Sequence, residues 1–99
     1  MLNLTKSNFD STIANGKVLI DFYTDWCGFC KIVSPVLEEL SIKYAGSIIV
    51  AKVDADAERE IAYRYNINGY PTILLLEDGK EISRKSGAHP LEVFEEMIK

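Results

Sequence analysis

Lys17 to Tyr23, KVLIDFY, is a nearly unbroken run of branched and aromatic side chains with one acid inside it. Such a run predicts a strand buried on both faces, as in a parallel sheet. The period then changes: Ile32, Val33, Val36, Leu37, Leu40 and Tyr44 recur at helical spacing between Cys30 and Tyr44, and Gly46 ends the series. SIIVAKVDA, residues 47–55, reads as a second strand. Strand, helix and strand over about 35 residues make a βαβ unit, expected to be right-handed. Ahead of it, Ser7 as a cap with Phe9, Ile13 and Ala14 following predicts a short helix closed by Asn15-Gly16.

Beyond the unit, Asp56 fits the cap of a helix over about residues 57–65. NINGYP then leads into another apolar run, TILLLE, and Asp78-Gly79 is a strong two-residue hairpin signal into KEISRKS. Lys80, Glu81, Arg84 and Lys85 on that last strand suit an exposed edge guarded against mispairing. Pro90 opens a final helix with Leu91, Phe94 and Ile98 on one face. A parallel half followed by a hairpin half predicts an α/β fold, a mixed sheet flanked by helices. With no repeat, linker or low-complexity tract, residues 1–99 are expected to form a single domain.

Composition narrows the function. The net charge of -4 at pH 7 argues against nucleic-acid binding, which needs clustered Lys and Arg. No apolar stretch approaches the roughly 20 residues of a membrane span. MLNLTKSNFD turns polar early and lacks the design of a secretory signal, so a cytoplasmic, soluble protein is expected. In a reducing compartment a permanent disulfide is disfavoured, so a cysteine pair there cycles or binds metal.

The only two cysteines, Cys27 and Cys30, lie in TDWCGFCK. Spaced i and i+3 on a first helical turn, they point the same way and their sulfurs can meet. The partial positive charge and free N–H groups of a helix N-terminus favour thiolate at Cys27, and thiolate is the attacking species in disulfide exchange. A structural zinc site needs about four ligands, and the chain offers these two cysteines and a distant His89. His89 before Pro90 reads as a helix-entry residue. Asp54 to Glu60, DADAERE, resembles a calcium loop only superficially, with Arg59 and Tyr65 where Gly and Glu belong. No metal is expected. A working redox couple is the best reading. Asp21, inside a buried strand, is expected to have a raised pKa suited to proton transfer, with a structural pairing to Lys52 as the alternative.

DFYTDWCGFCK, Pro35, VDAD after the second strand, GYPT and DGKE with SGA resemble, in order and spacing, the thioredoxin family across essentially the whole chain. The resemblance implies the thioredoxin fold and a protein disulfide reductase. It implies that Cys27 is the nucleophile, Cys30 the resolving thiol, Asp21 the group that deprotonates Cys30, and Lys52 the residue that tunes Asp21. It further implies a cis Pro71, with Tyr70 free to pair with an extended substrate. Trp26, Gly28, Phe29, Gly69, Gly87 and Ala88 complete the expected substrate-binding surface. No bound cofactor is implied; electrons come through thioredoxin reductase from NADPH, the clients are disulfide-containing proteins, and the protein acts as a monomer.

The chain departs from the family at Phe29, where the common motif has proline. Phe29 restores a backbone N–H near the sulfurs and removes a rigid ring, so a less reducing potential is expected. Tyr23 stands where many relatives have Trp. A same-fold oxidant or isomerase, and a non-enzymatic subunit of a larger complex, are the competing readings.

Overall fold

The computed structural model describes residues 1–99. Nine elements follow one another: β1 (Leu2–Asn3), α1 (Phe9–Ile13), β2 (Lys17–Tyr23), α2 (Gly28–Lys43), β3 (Ile49–Asp54), α3 (Arg59–Arg64), β4 (Thr72–Glu77), β5 (Lys80–Ser86) and α4 (Leu91–Met97). The strands form one sheet in the order β1-β3-β2-β4-β5. β3 runs parallel to both β1 and β2, while β2–β4 and β4–β5 are antiparallel. This is the expected α/β architecture, with β2-α2-β3 as its parallel unit.

The period-2 alternation of a strand sorts the core into two layers. Val18, Ile20 and Phe22 of β2 join Ala51, Val53, Leu74 and Leu76 on the side covered by Phe9, Ile13 and Ile61 of α1 and α3. Leu19 joins Val50, Ile73 and Leu75 on the side covered by Val33, Leu37, Leu40 and Phe94 of α2 and α4. By the same alternation Asp21 belongs to the α2 side, and so does Lys52, its partner in register on β3. An acid and a lysine on neighbouring strands are thereby set on the same face of the sheet, beneath α2.

At Asp78-Gly79 both φ angles are positive, 52° and 84°, as a two-residue hairpin turn following the sheet's twist requires. The Asp78 carboxylate also accepts the Gly16 N–H at 2.8 Å, tying this turn to the start of β2. α2 is continuous through Pro35, which has no N–H to give to the carbonyl four residues earlier.

Several elements differ from the sequence expectation. β1 was not anticipated: two residues carry no readable alternation, and it exists because Leu2 and Asn3 align with Ala51 and Lys52 of β3. α1 begins after Asn8 rather than Ser7; the Asn8 side chain accepts the Thr5 N–H at 2.7 Å, while the Ser7 hydroxyl pairs with that of Thr5. α3 begins at Arg59, because the Asp54 carboxylate accepts the N–H groups of Asp56 and Ala57 and holds that stretch in a turn. Pro90 lies one residue outside α4, at its cap position.

Candidate active site

The sheet brings its functional segments to one end. β2 and β3 are parallel and finish there at Tyr23 and Asp54, which are paired in register. Thr72, the first residue of antiparallel β4, pairs with Phe22 of β2 and with Ser86 at the end of β5. The cysteine loop, the Tyr70-Pro71 segment and Gly87 therefore converge, though they are far apart in sequence.

Cys27 is the cap residue of α2, in extended backbone with φ -92° and ψ 113°. Its Sγ accepts the Cys30 N–H at 3.1 Å, where a cap side chain receives a first-turn donor. The Cys27 N–H in turn donates to the Thr24 carbonyl at 3.4 Å. Cys27 and Cys30 are joined in a disulfide, with Cα atoms 5.2 Å apart. In the oxidised form both residues are nearly covered, Cys27 at 7% exposure and Cys30 at 4%.

An apolar surface surrounds them. Trp26 is 70% exposed and Phe29 63%, with Ile32 following one turn along α2. Trp26 packs edge-on against Tyr70, ring centroids 6.0 Å apart, and its Nε1–H donates to Asp56 at 2.9 Å. Asp56 was expected to cap α3 and instead orients this indole; the two residues are thirty apart in sequence, and no local pattern signals their meeting. The Tyr70–Pro71 peptide is cis. Pro71 is buried, and its carbonyl accepts the Gly87 N–H at 2.9 Å. Gly87 has φ 88°, a conformation that other residues adopt at a cost. Ala88 packs against the α2-side core. A Cβ added at Gly28 or Gly69 would meet nothing, so both leave open space beside the site.

Beneath the disulfide lies a cleft of about 170 Å³ lined by Asp21, Thr24, Asp25, Cys30, Lys31 and Lys52, among others. Asp21 is buried, and its Oδ1 has no hydrogen-bond partner in the protein. Burial raises its pKa from the ordinary 3.8 to about 7, and the positive charge of Lys52 partly opposes the rise. Lys52 acts at a distance rather than as a direct ion pair: its Nζ stands over the Tyr23 ring, 5.8 Å from the centroid. Burial likewise raises the Tyr23 pKa, with Asp54, Asp25 and Asp21 adding to it. The cleft places a carboxyl able to hold or release a proton near neutral pH on a common space with Cys30.

His89 stands apart from this chemistry; its Nε2–H donates to the Ser86 carbonyl at 2.8 Å and its ring packs edge-on against Phe94. No group of three or more His, Cys, Asp and Glu side chains is disposed to hold a metal ion. No helix is long and apolar enough to cross a membrane.

A cysteine pair three residues apart, at the start of a helix that leaves the end of the central strand of a mixed sheet, defines a dithiol–disulfide oxidoreductase. Comparison with known proteins gives the family. The Thioredoxin family model matches residues 1–99. The chain is 35% identical over 98 residues to the thioredoxins of Staphylococcus aureus strains Mu50 and COL, covering 99% of this chain and 94% of each relative. The chain belongs to the thioredoxin family and is a thiol-disulfide reductase with a redox-active cysteine pair. Its substrates are disulfide-containing, it requires no bound cofactor, and thioredoxin reductase is the family's source of reduction.

Proposed function

We propose that this chain, acting as a single-domain monomer in the cytoplasm, reduces client disulfides with Cys27 as the attacking sulfur and Cys30 as the resolving one. The observation that carries the assignment is the Cys30 N–H at 3.1 Å from Cys27 Sγ: the sulfur at the helix cap receives a donor that favours its thiolate. In the reduced protein the Cys27 thiolate attacks one sulfur of the client disulfide. A Cys27–client disulfide forms and the other client sulfur leaves as thiolate. The Cys30 thiol gives its proton to the Asp21 carboxylate, attacks Cys27 Sγ and displaces the second client thiolate. Two electrons have passed to the client, and the Cys27–Cys30 disulfide remains.

Asp21 suits this role because burial holds its pKa at about 7, where it can both take and return a proton near neutrality. Lys52 keeps that value from rising further. Trp26, Gly28, Phe29, Gly69, Tyr70, Pro71, Gly87 and Ala88 form the client-binding surface: the exposed rings of Trp26 and Phe29 cover apolar client side chains, and backbone beside Pro71 pairs with an extended client segment. The disulfide is recharged by thioredoxin reductase with electrons from NADPH. In this role the protein maintains protein thiols and supplies electrons to target enzymes.

Insulin reduction with a recycling system tests the scheme. The parent chain should turn over, Cys27→Ser should be inactive, and Cys30→Ser should accumulate covalent adducts through Cys27. Adducts accumulating in Cys27→Ser and not in Cys30→Ser would reverse the two roles, and stoichiometric binding without turnover by the parent would identify a non-enzymatic module.

A further inference from the structure

Thr24 is the residue after β2 ends, and the site as described gives its side chain no task. It is 1% exposed, yet its Oγ1 has no hydrogen-bond partner in the protein. A buried hydroxyl left unpaired destabilises a fold, and valine, of nearly the same shape, would fill the position without that cost. Only one other buried side-chain polar atom shares this condition, Asp21 Oδ1. The two residues lie three apart, and both line the cleft that also reaches Cys30. At about 170 Å³ the cleft has room for several water molecules, each needing about 30 Å³ and two to four polar partners.

We propose that a water in this cleft relays the proton from Cys30 to Asp21 and that the Thr24 hydroxyl positions it. The inference rests on the role given above to Asp21 and adds a residue to it. The hydroxyl can donate to one group and accept from another, so it can hold a bridging water in register without ionising. Its backbone is already fixed relative to the sulfurs, because the Thr24 carbonyl accepts the Cys27 N–H. The Thr24 side chain is therefore a positioning group: its buried hydroxyl has no bond to either sulfur and acts on the second step alone, while the backbone carbonyl that holds Cys27 is unchanged by substitution. Lys52 from β3, Lys31 from α2 and Asp25 from the same loop are the other charged groups on the cleft, and Tyr23 its other titratable wall besides Cys30.

The test separates the two sulfur steps. When the reduced protein meets an aromatic disulfide such as dithiobis(nitrobenzoate), attack by Cys27 releases the first coloured thiolate and attack by Cys30 releases the second. Thr24→Val should keep the first release within about twofold and slow the second roughly tenfold near neutral pH, the scale of one lost bridging hydrogen bond in a transition state. Thr24→Ser should restore the second step, and Thr24→Val placed on Asp21→Asn should slow it no further. An unchanged second release in Thr24→Val while Asp21→Asn slows it would overturn this inference and leave the Asp21 reading standing. A second release unaffected by Asp21→Asn would remove that reading and this inference with it. Equal slowing by Thr24→Val with and without the Asp21 carboxyl would also overturn the inference, since Thr24 would then act independently.

Discussion

Near pH 7 the Asp21 carboxyl is poised between its two forms, because burial holds its pKa at about 7 while an unfolded chain would titrate at about 3.8. The proton is bound more tightly in the folded state, so the contribution of Asp21 to stability is most favourable below pH 3.8, where both states are protonated. It declines as pH rises through the window from 3.8 to about 7, and above that the whole penalty is present. At about 1.4 kcal/mol per pH unit the penalty is at most about 4 kcal/mol. Asp21→Asn carries no titrating proton. It should match the parent in stability at pH 3.5 and exceed it by about 2–4 kcal/mol at pH 8, read from urea unfolding of the oxidised proteins. A difference independent of pH would show that the carboxyl is not held near 7 by burial. At Phe29 the issue is a single donor. Its N–H belongs to the first turn of α2, where intrahelical partners are lacking, and proline in its place would remove it. One hydrogen bond to a thiolate is worth about 1–2 kcal/mol, or about 20–40 mV for this couple. Phe29→Pro should therefore be more reducing than the parent by that order when both are equilibrated with glutathione; equal potentials would mean that this N–H does not reach the sulfur.

At the scale of elements, the hairpin and the redox helix sit at opposite ends of β4 and should be separable. Gly79 holds φ 84°, and a Cβ there would meet only the Ile13 carbonyl at 3.8 Å, an ordinary contact. The strain of Gly79→Ala is thus conformational, about 1–2 kcal/mol. The variant should unfold at lower denaturant and reduce insulin at the parent's rate; a loss of activity would couple the hairpin to the site. The elements legible in the sequence are those whose signal is local. KVLIDFY gives β2 to the residue, TILLLE gives β4, and Asp78-Gly79 gives the turn between β4 and β5, because burial on both faces and positive φ each select particular side chains. β1 was illegible because its two residues are strand only by virtue of β3. α3 started late because Asp54, a strand residue, holds the N–H groups of Asp56 and Ala57 in a turn, and the Asp56 carboxylate is engaged by Trp26 instead of capping the helix. The site divides the same way. Cys27, Cys30 and Asp21 announce themselves by residue type in an unlikely place, whereas Asp56 against Trp26 and Thr24 against the cleft are tertiary facts without a one-dimensional trace.

For the molecule as a whole, the sheet divides the interior into an α1/α3 layer and an α2/α4 layer, and the second alone contains the helix that carries the sulfurs. Leu40 is fully buried in that layer and lies about 15 Å along α2 from Cys30, at 1.5 Å per residue. Leu40→Ala should cost about 2–5 kcal/mol of global stability through lost burial and the cavity left behind. Reactivity at the other end of the helix is set by different things: the Cys30 N–H on Cys27 Sγ, the Thr24 carbonyl on the Cys27 N–H, and the positive end of the helix. None of these passes through Leu40. Well below its unfolding midpoint the variant should therefore alkylate Cys27 in the reduced protein at the parent's rate, while amide exchange in the C-terminal half of α2 speeds up by the factor its lost stability implies. A Cys27 rate that fell in step with stability would mean that the nucleophile is tuned by the packing of the entire layer, and that the local cap described here is not sufficient to set it.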